Sequence, residues 1–248
     1  MPASLAMSRW TSERRTIGEL VTGMNVAKGY GRFAAVVNSL LVVLLFLAPA
    51  HAQTAPVKIA MLGDSLTAGY GVKPEQAIPV RLQAALRKGG RDVTILNHGV
   101  AGDTSAGGID RVDWMLGDKP DIVMLELGAN DALRAIDPTV TERNLDTIIA
   151  KLKDAKVTIW LIGMMAPRNL GPEYVAAFDG LYRKLADKYQ IPLYPFILDG
   201  VAQDATLNQG DGMHPNPDGI EVVVKHLLPF VTKNLDDYAA SVHRPSRP

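Results

Sequence analysis

From Val57 onward, short runs of apolar residues alternate with stretches in which apolar positions return every three or four residues. The runs Val57 to Leu62, Val93 to Asn97, Ile122 to Leu127, Val157 to Gly163 and Pro192 to Phe196 are too short for helices and read as strands. Between the later runs, Leu145, Ile148, Ile149 and Leu152 share one helical face, as do Phe178, Leu181, Tyr182 and Leu185. A last stripe of Ile220, Val223, Val224, Leu227, Leu228 and Val231 follows Asn216-Pro217-Asp218, a helix-start signal. Strands alternating with amphipathic helices predict an α/β fold, with a five-stranded parallel sheet covered on both faces.

The first fifty residues follow another pattern. Phe33 to Ala50 is a nearly unbroken apolar run preceded by Lys28 and Arg32, and it leads into Ala50-His51-Ala52. Basic residues, an apolar stretch and small residues at alternate positions are the layout of a secretory signal. Residues 1–52 therefore read as an amino-terminal extension and signal peptide cleaved near Ala52, with Met24 as an alternative start. A periplasmic or secreted domain over 53–240 and an unstructured tail over 241–248 follow from this reading. The rival reading is an uncleaved membrane anchor over Phe33 to Ala50, against which Pro49, Asn38 and Ser39 count.

Composition narrows the chemistry. Lys and Arg number 26, as do Asp and Glu, and five basic but only two acidic residues lie in the first 52, so the remainder carries a small negative charge. No basic face for nucleic acid is advertised. The chain has no cysteine, so an exported domain gains no disulfide and any nucleophile must be oxygen. No His-Glu-x-x-His or similar ligand spacing occurs, so neither a metal nor another cofactor is expected.

In an open parallel sheet, ligands bind beyond the carboxyl ends of the strands. There the sequence places Gly63-Asp64-Ser65-Leu66, Gly99-Val100-Ala101-Gly102-Asp103-Thr104, Gly128-Ala129-Asn130-Asp131 and Asp211-Gly212-Met213-His214. A serine hydroxyl needs an adjacent base to become a nucleophile, and His214 is the best candidate for Ser65. Asp211, three residues earlier, can reach the imidazole along a turn and orient it.

These four blocks, in this order, resemble the SGNH subgroup of GDSL hydrolases, and look closest to its bacterial arylesterase, thioesterase I and lysophospholipase L1 group. The resemblance spans Val57 to about Val231. It implies a flavodoxin-like three-layer α/β/α fold and a triad of Ser65, Asp211 and His214. It also implies an oxyanion hole formed by the backbone N–H groups of Ser65 and Gly102 and the side-chain amide of Asn130. Glycine at 102 removes a Cβ from the path of the substrate. The Gly-x-Ser-x-Gly elbow of the α/β-hydrolases is absent.

Other residues receive blander readings. Asp64, Asp103 and Asp131 read as turn and helix-start ligands, Met164, Met165 and Ala166 as either acyl-pocket lining or, the commoner case, strand-end core, and His98 as the start of a loop. Asp131 to Pro138 reads as a longer loop, either static or closing over substrate. The expected activity is cleavage of small acyl esters, aryl, alkyl or lysophospholipid, and of thioesters, through an acyl-serine. Membrane contact is expected only through the signal segment if it stays uncleaved. Rival readings are a carbohydrate O-deacetylase with the same blocks and a noncatalytic exported binding protein. A flavin-binding domain would need a hydroxyl-rich phosphate loop after the first strand, where this chain has a single serine.

Overall fold

A computed structural model describes residues 55–242. The extension and signal expected over residues 1–52, including Phe33 to Ala50 and the cleavage position, lie outside the described residues, as does the tail beyond Val242. Among the described residues no helix is long and apolar enough to cross a membrane.

Among the described residues five strands build one sheet: β1 (Val57–Gly63), β2 (Val93–Gly99), β3 (Ile122–Glu126), β4 (Thr158–Ile162) and β5 (Leu193–Tyr194). Every pairing is parallel and the order is β2-β1-β3-β4-β5. The central strands are covered on both faces, which is why they read as unbroken apolar runs. Ile59 to Leu62 and Ile122 to Leu125 have no exposed surface. In this order the chain reverses direction across the sheet between β1 and β3, leaving a crevice at their carboxyl ends.

The helices are α1 (Ser65–Ala68), α2 (Ile78–Lys88), α3 (Ser105–Leu116), α4 (Ala129–Leu133), α5 (Pro138–Asp154), α6 (Pro172–Tyr189) and α7 (Pro217–Val242). α2 packs with α7, while α5 packs with both α3 and α6, giving two helical layers around the sheet. The expected apolar stripes on α5, α6 and α7 face the core, with Leu228 alone only half-buried. Asn216 starts α7 by accepting from the N–H groups of Asp218 and Gly219, each at 3.0 Å.

Three local expectations are corrected. His98 lies inside β2, and burial pushes its imidazole below the ordinary value, with Asp118 3.1 Å from Nε2. The first part of the segment after Asn130 is helical, closing α4 at Leu133, because buried Asp131 ties it to neighbouring helices, and only Arg134 to Asp137 link it to Pro138 at the start of α5. α7 continues through Ser241 and Val242, residues assigned to the tail by composition.

Candidate active site

β1 ends at Gly63, and Asp64 then caps α1 by accepting the Leu66 N–H at 3.0 Å. Ser65 is thereby the first helical residue beyond β1. Its N–H belongs to the set that a helix start leaves without an internal acceptor.

His214 reaches this serine from the loop before α7. Asp211 Oδ1 accepts the N–H groups of Met213 (2.9 Å) and His214 (3.0 Å), folding the four residues into an Asx turn. That turn leaves Oδ2 at 2.6 Å from His214 Nδ1, while Nε2 lies 2.8 Å from Ser65 Oγ. The N–H groups of His214 and then Met213 hold the Asp211 carboxyl down at about 2. An ionised carboxylate at Nδ1 makes that nitrogen the donor and leaves the Nε2 lone pair facing the serine hydroxyl. The sequence-predicted trio is thus one continuous hydrogen-bonded chain, able to take a proton from Ser65.

The other predicted positions gather around the same serine. Gly102 has φ of +80°, a left-handed conformation that favours glycine, and a Cβ there would meet nothing closer than Arg134 Nη2 at 3.8 Å. Within the protein, backbone conformation rather than crowding requires this glycine. Arg134 donates to the Gly102 carbonyl at 2.7 Å. Asn130, on α4, spends one amide N–H on Asp64 Oδ2 at 3.2 Å and has a second to offer. Ser65, Gly102, Asn130 and His214 all border one cavity of about 490 Å³. Its walls include Leu133, Met164, Met165, Phe196 and Leu198, so the methionines after β4 are cavity wall and not only core.

Several supporting residues were not foreseen. Glu126, fully buried at the end of β3, accepts from Thr67 Oγ1 (2.8 Å) and the Asp64 N–H (3.4 Å). Burial, followed by the neighbouring Asp64 charge, pushes Glu126 well above the carboxylate range, and burial brings Asp64 up to about 6. Arg111 on α3 donates to the carbonyls of Gly63 (2.7 Å) and His98 (2.5 Å) and to Asp103 Oδ2 (2.6 Å). One guanidinium therefore links the ends of β1 and β2 to the residue after Gly102. Asp131 receives the N–H (2.8 Å) and hydroxyl (2.5 Å) of Ser105 and the Thr141 hydroxyl (3.2 Å), tying the Asn130 helix to α3 and α5. Asp64 and Asp131 accept helix-start N–H groups as expected, from Leu66 and Ser105, and Asp64 additionally holds Asn130. The Asp103 carboxylate instead pairs with Arg111, and Thr104 caps α3. Among the described residues no group of three His, Asp or Glu side chains is placed to hold a metal ion.

Comparison with known proteins gives concordant matches. The model of the GDSL-like lipase/acylhydrolase family matches residues 61–222. An arylesterase of Vibrio mimicus is 36% identical over 197 residues, covering 79% of this chain and 98% of the relative. The thioesterase 1/protease 1/lysophospholipase L1 of Escherichia coli (strain K12) is also 36% identical over 197 residues, covering 77% of this chain and 91% of its own. Among solved structures, AlinE4, an SGNH-hydrolase family esterase, superposes with a TM-score of 0.62 at 42% identity, covering 73% of this chain and 97% of its own.

Proposed function

This chain belongs to the GDSL-like lipase/acylhydrolase family, whose members act on ester bonds, and from that premise we propose an exported serine esterase working through an acyl-Ser65 intermediate. The observation that carries the mechanism is the contact of His214 Nε2 with Ser65 Oγ at 2.8 Å, with Asp211 on the other ring nitrogen. Ser65 Oγ attacks the acyl carbon as its proton passes to Nε2. The tetrahedral oxyanion collapses, the C–O bond to the leaving group breaks, and the same proton goes to the departing oxygen. Water, deprotonated by His214, then releases the acid and restores Ser65. Asp211 stays ionised throughout and stabilises the imidazolium.

The developing oxyanion is received by the N–H groups of Ser65 and Gly102 and the free amide N–H of Asn130. All three border the cavity. Donors fixed beforehand do not have to reorganise as charge appears, which is the reason for the surrounding clamps of Arg111, Asp64 and Asp131.

The cavity wall favours an acyl chain over a sugar. Leu133, Met164, Phe196 and Leu198 offer apolar contact, and the wall as a whole presents more apolar than polar surface. Each methylene buried there contributes up to about 0.8 kcal/mol, so kcat/KM rises with acyl length until the groove is filled. Thioesters and lysophospholipids, named in the functions of the Escherichia coli relative, fall within the same chemistry. Measuring kcat/KM on aryl esters from acetyl to palmitoyl, beside acyl-CoA, lysophospholipid and acetylated sugars, tests the reading. A sharp optimum at acetyl with preferred turnover of acetylated sugars would replace it with a deacetylase.

Export is supported by the run Phe33 to Ala50 and the following Ala50-His51-Ala52. Amino-terminal sequencing of the periplasmic or secreted protein is expected to start near Gln53. Recovery of the intact chain in the membrane fraction would favour the anchor instead.

A further inference from the structure

An ester bound at Ser65 has an acyl side and a leaving-group side, and chemistry fixes which is which. The group that protonates the leaving oxygen must lie within hydrogen-bond reach of it. In this site that group is His214, so the departing alcohol lies on the histidine side of the cavity. The aromatic ring on that side is Tyr70. Its centroid is 4.6 Å from that of the His214 imidazole, tilted by 40°, and it borders the same cavity. Tyr70 is 53% exposed, so the ring is not there to fill the core.

The backbone that carries the ring is held in place. The Tyr70 N–H donates to the Ser65 carbonyl at 3.0 Å, closing the turn that carries the serine. The Tyr70 carbonyl accepts from Gln209 Nε2 at 2.8 Å, and the same nitrogen donates to the Pro215 carbonyl at 3.0 Å. The Gln209 N–H donates to the His214 carbonyl at 2.7 Å. Gly71 follows with φ of +73°, where any side chain would run into the Gln209 amide. One glutamine thus fixes the backbone of Tyr70 to that of His214. A half-bare aromatic face on a fixed backbone beside the proton donor is suited to a planar apolar group leaving from that donor.

We propose that Tyr70 forms the leaving-group subsite, stacking on an aromatic alcohol and selecting aryl esters over alkyl esters of the same acyl chain. The inference rests on the serine-esterase reading above and adds which side of the ester the chain inspects. Offset or edge-to-face contact between aromatic rings corresponds to about a three- to tenfold preference.

The test compares phenyl butyrate with hexafluoroisopropyl butyrate, an alkyl ester with a leaving group of similar acidity, in wild type, Tyr70→Leu and Tyr70→Phe. kcat/KM reports the steps up to and including acylation, in which the leaving group is expelled. The ratio of phenyl to fluoroalkyl kcat/KM is expected to fall about three- to tenfold in Tyr70→Leu and to return to the wild-type ratio in Tyr70→Phe. Equal losses on both esters would show that Tyr70 only places His214, and an unchanged ratio in Tyr70→Leu would show that the ring is not read by substrate. Either result overturns the subsite while leaving the esterase intact. Wild-type protein that cleaves neither ester would overturn the esterase reading itself.

Discussion

The Asp64 backbone N–H points at Glu126 Oε2, 3.4 Å away, and neither side chain has exposed surface. Two buried carboxyls lie beneath the serine turn, and burial raises both, Asp64 to about 6 and Glu126 well above its ordinary value. The unfolded chain releases these protons near pH 4. The folded state keeps them longer, so the pair's contribution to stability is full below about pH 4 and is lost as pH rises through about 6, further for Glu126. Glu126→Gln keeps an oxygen for Thr67 without the charge. Its melting temperature is therefore expected to gain on wild type between pH 5 and pH 8, and a gap that narrows over that range would contradict the assignment.

Asn130 is tethered through one N–H to Asp64 Oδ2, leaving the other for the oxyanion. Asn130→Ala is expected to lower kcat by about a hundredfold to a thousandfold with a much smaller change in KM. Steady-state kinetics on an aryl butyrate decide this. A variant losing only KM would make Asn130 a ground-state contact.

Asp211 is held at about 2, so it stays ionised across any practical assay range, and its titration is not expected to limit activity in mild acid. In Asp211→Asn an oxygen can still accept from Met213 and His214, preserving the turn. The amide facing Nδ1, however, favours the wrong histidine tautomer. kcat is expected to fall by roughly a hundredfold to ten-thousandfold, with melting near neutral pH little changed. A kcat within tenfold of wild type would remove Asp211 from the relay.

Much of this architecture is legible in the amino-acid sequence. The apolar runs of β1 and β3 and the stripes of α5, α6 and α7 report burial directly, because periodicity is the trace of packing. Ser65, Gly102, Asn130, Asp211 and His214 were legible as blocks at strand ends. The clamps were not, since each depends on contacts far apart in sequence: Arg111 lies 48 residues from Gly63, and Tyr70 meets Gln209 across 139. Glu126 did leave a signal, a lone charge inside the otherwise apolar run Ile122 to Leu127. His98 reads as a loop start because a polar residue before glycine looks like a turn, whereas β2 continues past it to Gly99.

Arg111 binds two strand-end carbonyls and Asp103 at once. Arg111→Ala strands these partly buried acceptors, each at a cost of about 1–3 kcal/mol where water cannot reach them. It is expected to lower the melting temperature by several degrees and kcat more than tenfold. Guanidinium added at millimolar concentration, below denaturing levels, is expected to restore part of kcat. Full activity in the unrescued variant would show that the Gly102 loop holds its shape without the clamp.

The central claim is that Ser65, activated by His214, forms the covalent acyl-enzyme, and a fluorophosphonate probe followed by peptide mass analysis tests it most directly. The label is expected on Ser65 in wild type. It should disappear in Ser65→Ala, with turnover reduced by several orders of magnitude and the melting profile retained. A label that persists on Ser65→Ala at another residue, or hydrolysis that survives the substitution, would contradict the account.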